Sequence, residues 1–161
     1  MITEDKIWQW LEEVPDPEIP VLSVVDLGIV RDVRSDSDGV EVMITPTYSG
    51  CPAMKEIEDN ILRKLLDEGI KEPLVKTQIS PPWTTDWMTE KGREKLRAYG
   101  IAPPEGSSAD KNVLFGVKKD VTCPHCGSKD TEMISQFGST ACKALYRCRQ
   151  CLEPFDYFKC I

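Results

Sequence analysis

Ile7, Trp8, Trp10, Leu11 and Val14 recur at the three- and four-residue spacing of a helix with one apolar face, and Thr3, ahead of Glu4 and Asp5, is placed to cap it. Pro15 and Pro17 end it. Residues 21–33 are then apolar with strand character, interrupted at Asp26-Leu27-Gly28, and the strand they predict runs to Arg34. Ser35-Asp36-Ser37-Asp38-Gly39 closes on Asp-Gly, the strongest short hairpin signal in the chain. Beyond it Val40, Val42 and Ile44 alternate with Glu41 and Met43, which predicts a second strand antiparallel to the first. Met54, Ile57, Ile61, Leu62, Leu65 and Leu66 return to helical spacing, with Pro52 at the start and Gly69 at the stop. Residues 74–79 predict a third strand. That order predicts an α+β layer with helices packed on one face of a sheet.

Past this layer the pattern changes. Residues 80–88 contain Pro81, Pro82, Trp83 and Trp87, a rigid apolar loop that either folds its tryptophans into the core or presents them to a partner. A charged helix is predicted over 89–99, capped by Thr89 and stopped by Gly100, and residues 102–112 have the composition of a linker. The expected organisation is an α+β domain over 1–101, a linker over 102–112 and a second module over 113–161.

Of the 161 residues, 40% are hydrophobic and 29% charged, the balance of a globular protein. The net charge of −7 argues against a nucleic-acid or anionic-membrane surface, because binding phosphates depends on Lys and Arg. No segment approaches the length of a membrane span, and the first residues lack the basic flank and apolar run of a signal peptide, so the expected location is cytoplasmic. In that compartment the seven cysteines are metal ligands or reactive thiols before they are disulfides.

Cys123-Pro-His-Cys126 and Cys148-Arg-Gln-Cys151 are two C-x-x-C pairs separated by residues 127–147, the spacing of a four-cysteine zinc ribbon. Gly127 and Gln150 suit its turns, and Tyr146, Phe155, Tyr157 and Phe158 suit its short strands. With few apolar residues available, the metal supplies much of the folding free energy. Four tetrahedral thiolates hold iron as well as zinc. A dithiol redox role would need one pair, and His125 reads as exposed and outside the ligand set. Cys142 and Cys160 are left over, as a reactive pair, as ligands to a transient metal or as structural thiols.

Cys51 stands apart. Thr45-Pro-Thr-Tyr-Ser-Gly-Cys51 joins the second strand to the second helix, which puts the thiol at or next to a helix N-terminus, where the dipole favours a thiolate and Lys55 adds to the effect. The alternative is a small buried cysteine filling a core gap. Asp16-Pro17-Glu18 puts two carboxylates on a turn, able to bind a metal, orient a thiol or simply solvate the bend.

Asp16-Pro17-Glu18, Asp26-Leu27-Gly28 and Thr45 through Pro52 together resemble the iron–sulfur assembly domain family that includes SufT and the cytosolic iron–sulfur targeting factors. That resemblance covers residues 1–101 and keeps the family's Thr-x-x-x-Cys-Pro turn as Thr47 to Pro52. With the Pro-Pro-Trp loop and the ribbon included, the whole chain resembles an accessory-protein family of the bacterial phenylacetyl-CoA epoxidase system. The resemblance implies a place beside a di-iron oxygenase and its flavin and iron–sulfur reductase. The chain itself has no paired Glu-x-x-His motifs, no dinucleotide fingerprint and a single histidine, so the oxygenase lies elsewhere. Two roles follow. The first is a maturation factor with Cys51 as transfer thiolate, supported by Asp16, Glu18 and Thr47, carrying a transient iron–sulfur cluster and needing a homodimer or a partner's ligands. The second is a structural subunit binding the catalytic and reductase components.

Overall fold

In the computed structural model of the chain, which describes residues 2–37, 39–48, 50–105, 121–140 and 142–158, the Thr3 hydroxyl accepts the Lys6 amide at the start of α1 (Glu4–Leu11). Ile7, Trp10 and Leu11 form its buried stripe. The Asp36 and Gly39 hairpin forms as the Asp-Gly signal requires, with β1 (Val30–Asp36) antiparallel to β2 (Gly39–Ile44) and Asp36 opposite Gly39. α2 (Ala53–Asp67) then leads to β3 (Pro73–Thr77), which lies parallel to β2, so the sheet order is β1-β2-β3. Val40, Val42 and Ile44 are the buried positions of β2, while Glu41 and Met43 are half-buried. α1 packs on α2 and β1, and α2 packs on β3. Ile57, Ile61 and Leu65 fill the buried stripe of α2, each contributing about 1.5–3 kcal/mol by leaving water. Leu66, expected on that face, is exposed, because an α-helix reaches one side of its partner with a narrower stripe than the run of leucines suggests. Gly69 has φ +92 and follows the last turn, where its amide bonds Leu66 O and the Ile70 amide bonds Leu65 O.

Residues 21–29 depart from the expected strand. Leu22, Val24, Leu27 and Ile29 are buried, but their backbone runs in successive turns. The Ser23 amide donates to Asp26 Oδ2 (3.1 Å) and the Asp26 amide to Ser23 Oγ (3.0 Å), so side chains take the bonds a sheet neighbour would have taken. Apolar content places this segment in the core, as expected, but does not make it the strand that the same content predicts.

That turn also fixes the Pro-Pro-Trp loop. The buried indole of Trp83 donates to Leu27 O (2.8 Å), and the Thr89 amide donates to Asp26 O (2.9 Å). Gly28 has φ +71, and a Cβ built there would lie 2.3 Å from Trp87 O. Trp87 in turn carries the guanidinium of Arg31 3.7 Å over its ring, at the point where β1 bulges between Val30 and Asp32. Thr89 Oγ1 accepts the Gly92 amide and so caps α3 (Glu90–Tyr99) as expected.

The chain divides into two compact units, Met1–Trp83 with Trp87–Gly92, and Thr84–Asp86 with Arg93–Ile161. In the second, β4 (Ile101–Ala102), β5 (Thr131–Ser135), β6 (Lys143–Cys148) and β7 (Pro154–Phe158) form a sheet of order β4-β7-β6-β5. β4 pairs parallel with β7, and the other pairings are antiparallel. Ile101 and Ala102, on either side of the expected 101/102 limit, both belong to this sheet, while residues 106–112 of the expected linker lie outside the described residues. Tyr146 stacks on Phe155 (5.9 Å) and meets Tyr157 edge-on (5.5 Å) over Ala102, Val121 and Ala144, a small core.

Gly28→Ala tests the dependence of the loop on the turn. The positive φ and the overlap with Trp87 together cost about 2–4 kcal/mol, which lowers Tm by several degrees and alters tryptophan fluorescence. Unchanged Tm and fluorescence would show that the close approach at Gly28 is not needed.

Candidate functional site

The loop that carries Cys51 begins on the same turn. The Thr45 amide donates to Ile29 O (2.9 Å) one residue past Gly28, and Thr45 is buried. At its other end the Cys51 amide donates to Tyr48 O (3.3 Å) and the Met54 amide to Cys51 O (3.2 Å). Pro52 takes the N-cap position of α2 with φ −67 and ψ −22, and no side chain caps the helix. Cys51 therefore sits immediately outside an N-terminus whose first-turn amides receive no side-chain acceptor. It is 9% exposed, a covered thiol and not a surface one.

The expected help from Lys55 is not there. Its ammonium pairs with Asp59 (3.0 Å) and Glu58 (3.8 Å) on the next turn of α2, and the hydrogen bond to Asp59 chiefly raises its pKa. The charge is directed along the helix by i+3 and i+4 carboxylates. Asp16 is buried, and its Oδ1 accepts the amides of Glu18 (2.9 Å) and Ile19 (2.8 Å), while its own amide donates to Leu22 O. These bonds are local to residues 16–22, as those of Cys51 are local to 48–54. Glu18 and Thr47 are half-buried.

In the second unit the sulfurs of Cys123, Cys126, Cys148 and Cys151 all lie within 4.8 Å of one another. Cys123 and Cys151 are 3.8 Å apart and Cys126 and Cys148 are 3.5 Å apart, with all four thiols free. A tetrahedron with Zn–S bonds of about 2.3 Å has edges of about 3.8 Å, so the set fits zinc. Two matching turns create it. The Cys123 amide donates to Ser128 O (2.8 Å) and the Cys148 amide to Glu153 O (3.0 Å), the same five-residue span in each. Cys148 is drawn down to about 7, first by the Cys151 amide donating to its sulfur. The Glu153 amide draws Cys151 down, but burial and the neighbouring thiols outweigh it and push it up to about 12. Crowded sulfurs thus accept one negative charge and resist the next, a conflict that a divalent cation removes. When bound there, zinc would be held by these four residues and supply a structural crosslink. His125 is exposed and outside the set. Cys142 is buried with its sulfur 2.9 Å from Thr140 Oγ1, and Cys160 lies outside the described residues.

Comparison with known proteins follows the same division. Residues 4–72 match the family model of iron-sulfur cluster assembly proteins, and residues 107–159 match that of the PaaD zinc beta ribbon domain. Over 97% of its length the chain is 51% identical to an Escherichia coli (strain K12) protein provisionally named as a subunit of 1,2-phenylacetyl-CoA epoxidase, and it covers 92% of that protein. The chain belongs to the PaaD family. PaaD similarity extends further through the first part of the chain, which is 39% identical over 88 residues to the Fe-S protein maturation auxiliary factor YitW of Bacillus subtilis (strain 168), covering 53% of this chain and 85% of that protein. A maturation auxiliary factor of Porphyromonas gingivalis is 36% identical over 96 residues, 58% of this chain and 90% of that protein. Among solved structures, a DUF59 domain from Bacillus anthracis superimposes with TM-score 0.54 at 30% identity, over 58% of this chain and 90% of its own. A conserved hypothetical protein of Thermotoga maritima does so with TM-score 0.50 at 32% identity, over 59% of this chain and 94% of its own. These PaaD relationships give the chain an accessory role. No helix among the described residues is long and apolar enough to cross a membrane.

Several residues that shape these sites carry no local signal of their roles in the sequence: Ser23 and Asp26 as a reciprocal pair, and Gly28 as a steric requirement. The turn composition is visible, but the partners that make it necessary lie some sixty residues away.

For the PaaD ribbon, Cys148→Ser or a strong chelator is expected to remove zinc and abolish exchange protection of the Cys123 and Cys148 amides, leaving the α1 and α2 amides protected. Acidification weakens zinc binding, because protons compete for the thiolates. Amides that stay protected without metal would show that the aromatic core suffices.

Proposed function

We propose that the chain assists the maturation of iron–sulfur or iron centres in phenylacetyl-CoA epoxidase components, receiving a cluster as cargo at Cys51. The observation that carries this reading is the position of Cys51. It sits at an α2 N-terminus without a side-chain cap, in the part of the chain similar to auxiliary maturation factors. The positive end of a helix dipole favours an anionic metal–thiolate group beside it. Asp16 and Glu18, on their own turn, and Thr47, on the loop, are the supporting residues of this reading. One sulfur does not complete the coordination of a cluster, so a second copy of the chain in a homodimer, or a client, contributes the remaining ligands. The ribbon keeps its zinc as structure, and the catalytic and reductase components of the epoxidase are the clients. The setting is the cytoplasm, where these thiols stay reduced.

A second reading, a stoichiometric structural subunit, draws on the name carried by the Escherichia coli relative, which is matched across the ribbon as well. Co-expression of the epoxidase components with wild type or with Cys51→Ser separates the two. Maturation predicts that Cys51→Ser yields components as poor in iron and activity as those made without the chain. Full iron loading and activity with the variant, in a complex of fixed stoichiometry, would replace maturation by the structural role.

A further inference from the structure

The two metal-binding turns share the backbone bond from the first cysteine's amide to the carbonyl five residues on, and each has a residue of positive φ directly after its second cysteine. In the first, Gly127 follows the second cysteine with φ +77; in the second, the equivalent residue is Leu152 with φ +66. Among the described residues Leu152 is the one non-glycine residue with positive φ, a conformation that strains a branched side chain. Nor is the strain offset by packing, since Leu152 is 70% exposed. Glycine would satisfy the turn better on both counts, as it does at 127. We infer that Leu152 serves a contact outside the fold: it is the apolar anchor by which the ribbon docks into a hydrophobic pocket on another component of the epoxidase.

The charge distribution on the turn agrees with an apolar contact. Arg149, on the same turn, is already paired with Asp130 (3.7 Å) and Glu132 (3.2 Å), so its positive charge is taken up locally, and the exposed Glu153 is the charge that borders Leu152. The turn, closed by the Cys148 amide donating to Glu153 O, meanwhile holds the leucine in place, which is what a small, central hot spot requires. The identity of the partner is argued from chain lengths. The maturation factors are matched over 85% and 90% of their own lengths by 88 and 96 residues, which leaves no room for a ribbon, whereas the epoxidase-named relative spans it. A surface peculiar to the ribbon therefore serves the epoxidase and not maturation in general. This inference rests on the association with the epoxidase proposed above.

The test is titration of the zinc-loaded full chain, as wild type, Leu152→Gly, Leu152→Asn and Leu152→Met, against the purified remaining epoxidase subunits, with zinc content and Tm of each variant. Glycine and asparagine relieve the strain and remove the anchor, so both are expected to keep zinc and an equal or higher Tm while Kd rises about tenfold or more; methionine is expected to bind near wild type. Unchanged Kd for the glycine variant, or loss of its zinc, overturns the inference while leaving the epoxidase association intact. A wild-type chain that binds none of the subunits overturns that association, and the inference with it.

Discussion

Gly28 has no room for a side chain, and the arrangement of the first unit depends on that. The chain turns there with positive φ against the backbone of Trp87, and the residues on either side fasten two other segments: Asp26 and Leu27 hold the tryptophan loop, and Ile29 holds the start of the Cys51 loop. Asp26 is 2% exposed and its side chain accepts the Ser23 amide, so a buried polar group is satisfied by a fixed donor in place of water. A loosened turn would release the rigid loop and the loop carrying the candidate thiol together. The short motif Asp26-Leu27-Gly28 is therefore structural first, and its bearing on chemistry is indirect.

The second unit depends on a different constraint. Its small aromatic core sits beside four sulfurs that crowd one another, and the thiol shifts point in opposite directions because one thiolate discourages its neighbours. A cation held by the four sulfurs would resolve that conflict. The first unit instead has the ordinary hydrophobic support of two helices on a sheet. Under the maturation role proposed above, structural metal and transferred cargo occupy separate parts of the chain.

What the sequence disclosed was what depends on near neighbours. α1, α2, the β1–β2 hairpin and the four ribbon ligands all announce themselves through short spacings, whether of apolar residues, an Asp-Gly pair or cysteines. Residues 21–29 misled because burial and extension are separate properties, and the side-chain bonds that decide between them form only once Ser23 and Asp26 face each other. Lys55 misled differently: Glu58 and Asp59 are legible at i+3 and i+4, and they claim its charge before Cys51 does. β4 was beyond reach, since two residues become a strand only by pairing with β7 more than fifty positions later. The conformation of Leu152 is half legible, because the parallel with Gly127 is in the motif while its exposure is not.

The separation of cargo from structural metal is open to one direct measurement, native mass spectrometry of wild type and Cys51→Ser after anaerobic treatment with iron and sulfide. The account predicts that both retain one zinc per chain, for which four sulfurs are at hand. It also predicts that wild type alone gains the mass of a cluster. A cluster of equal occupancy in Cys51→Ser, or one that appears only as zinc is displaced, would place the iron on the ribbon and contradict it.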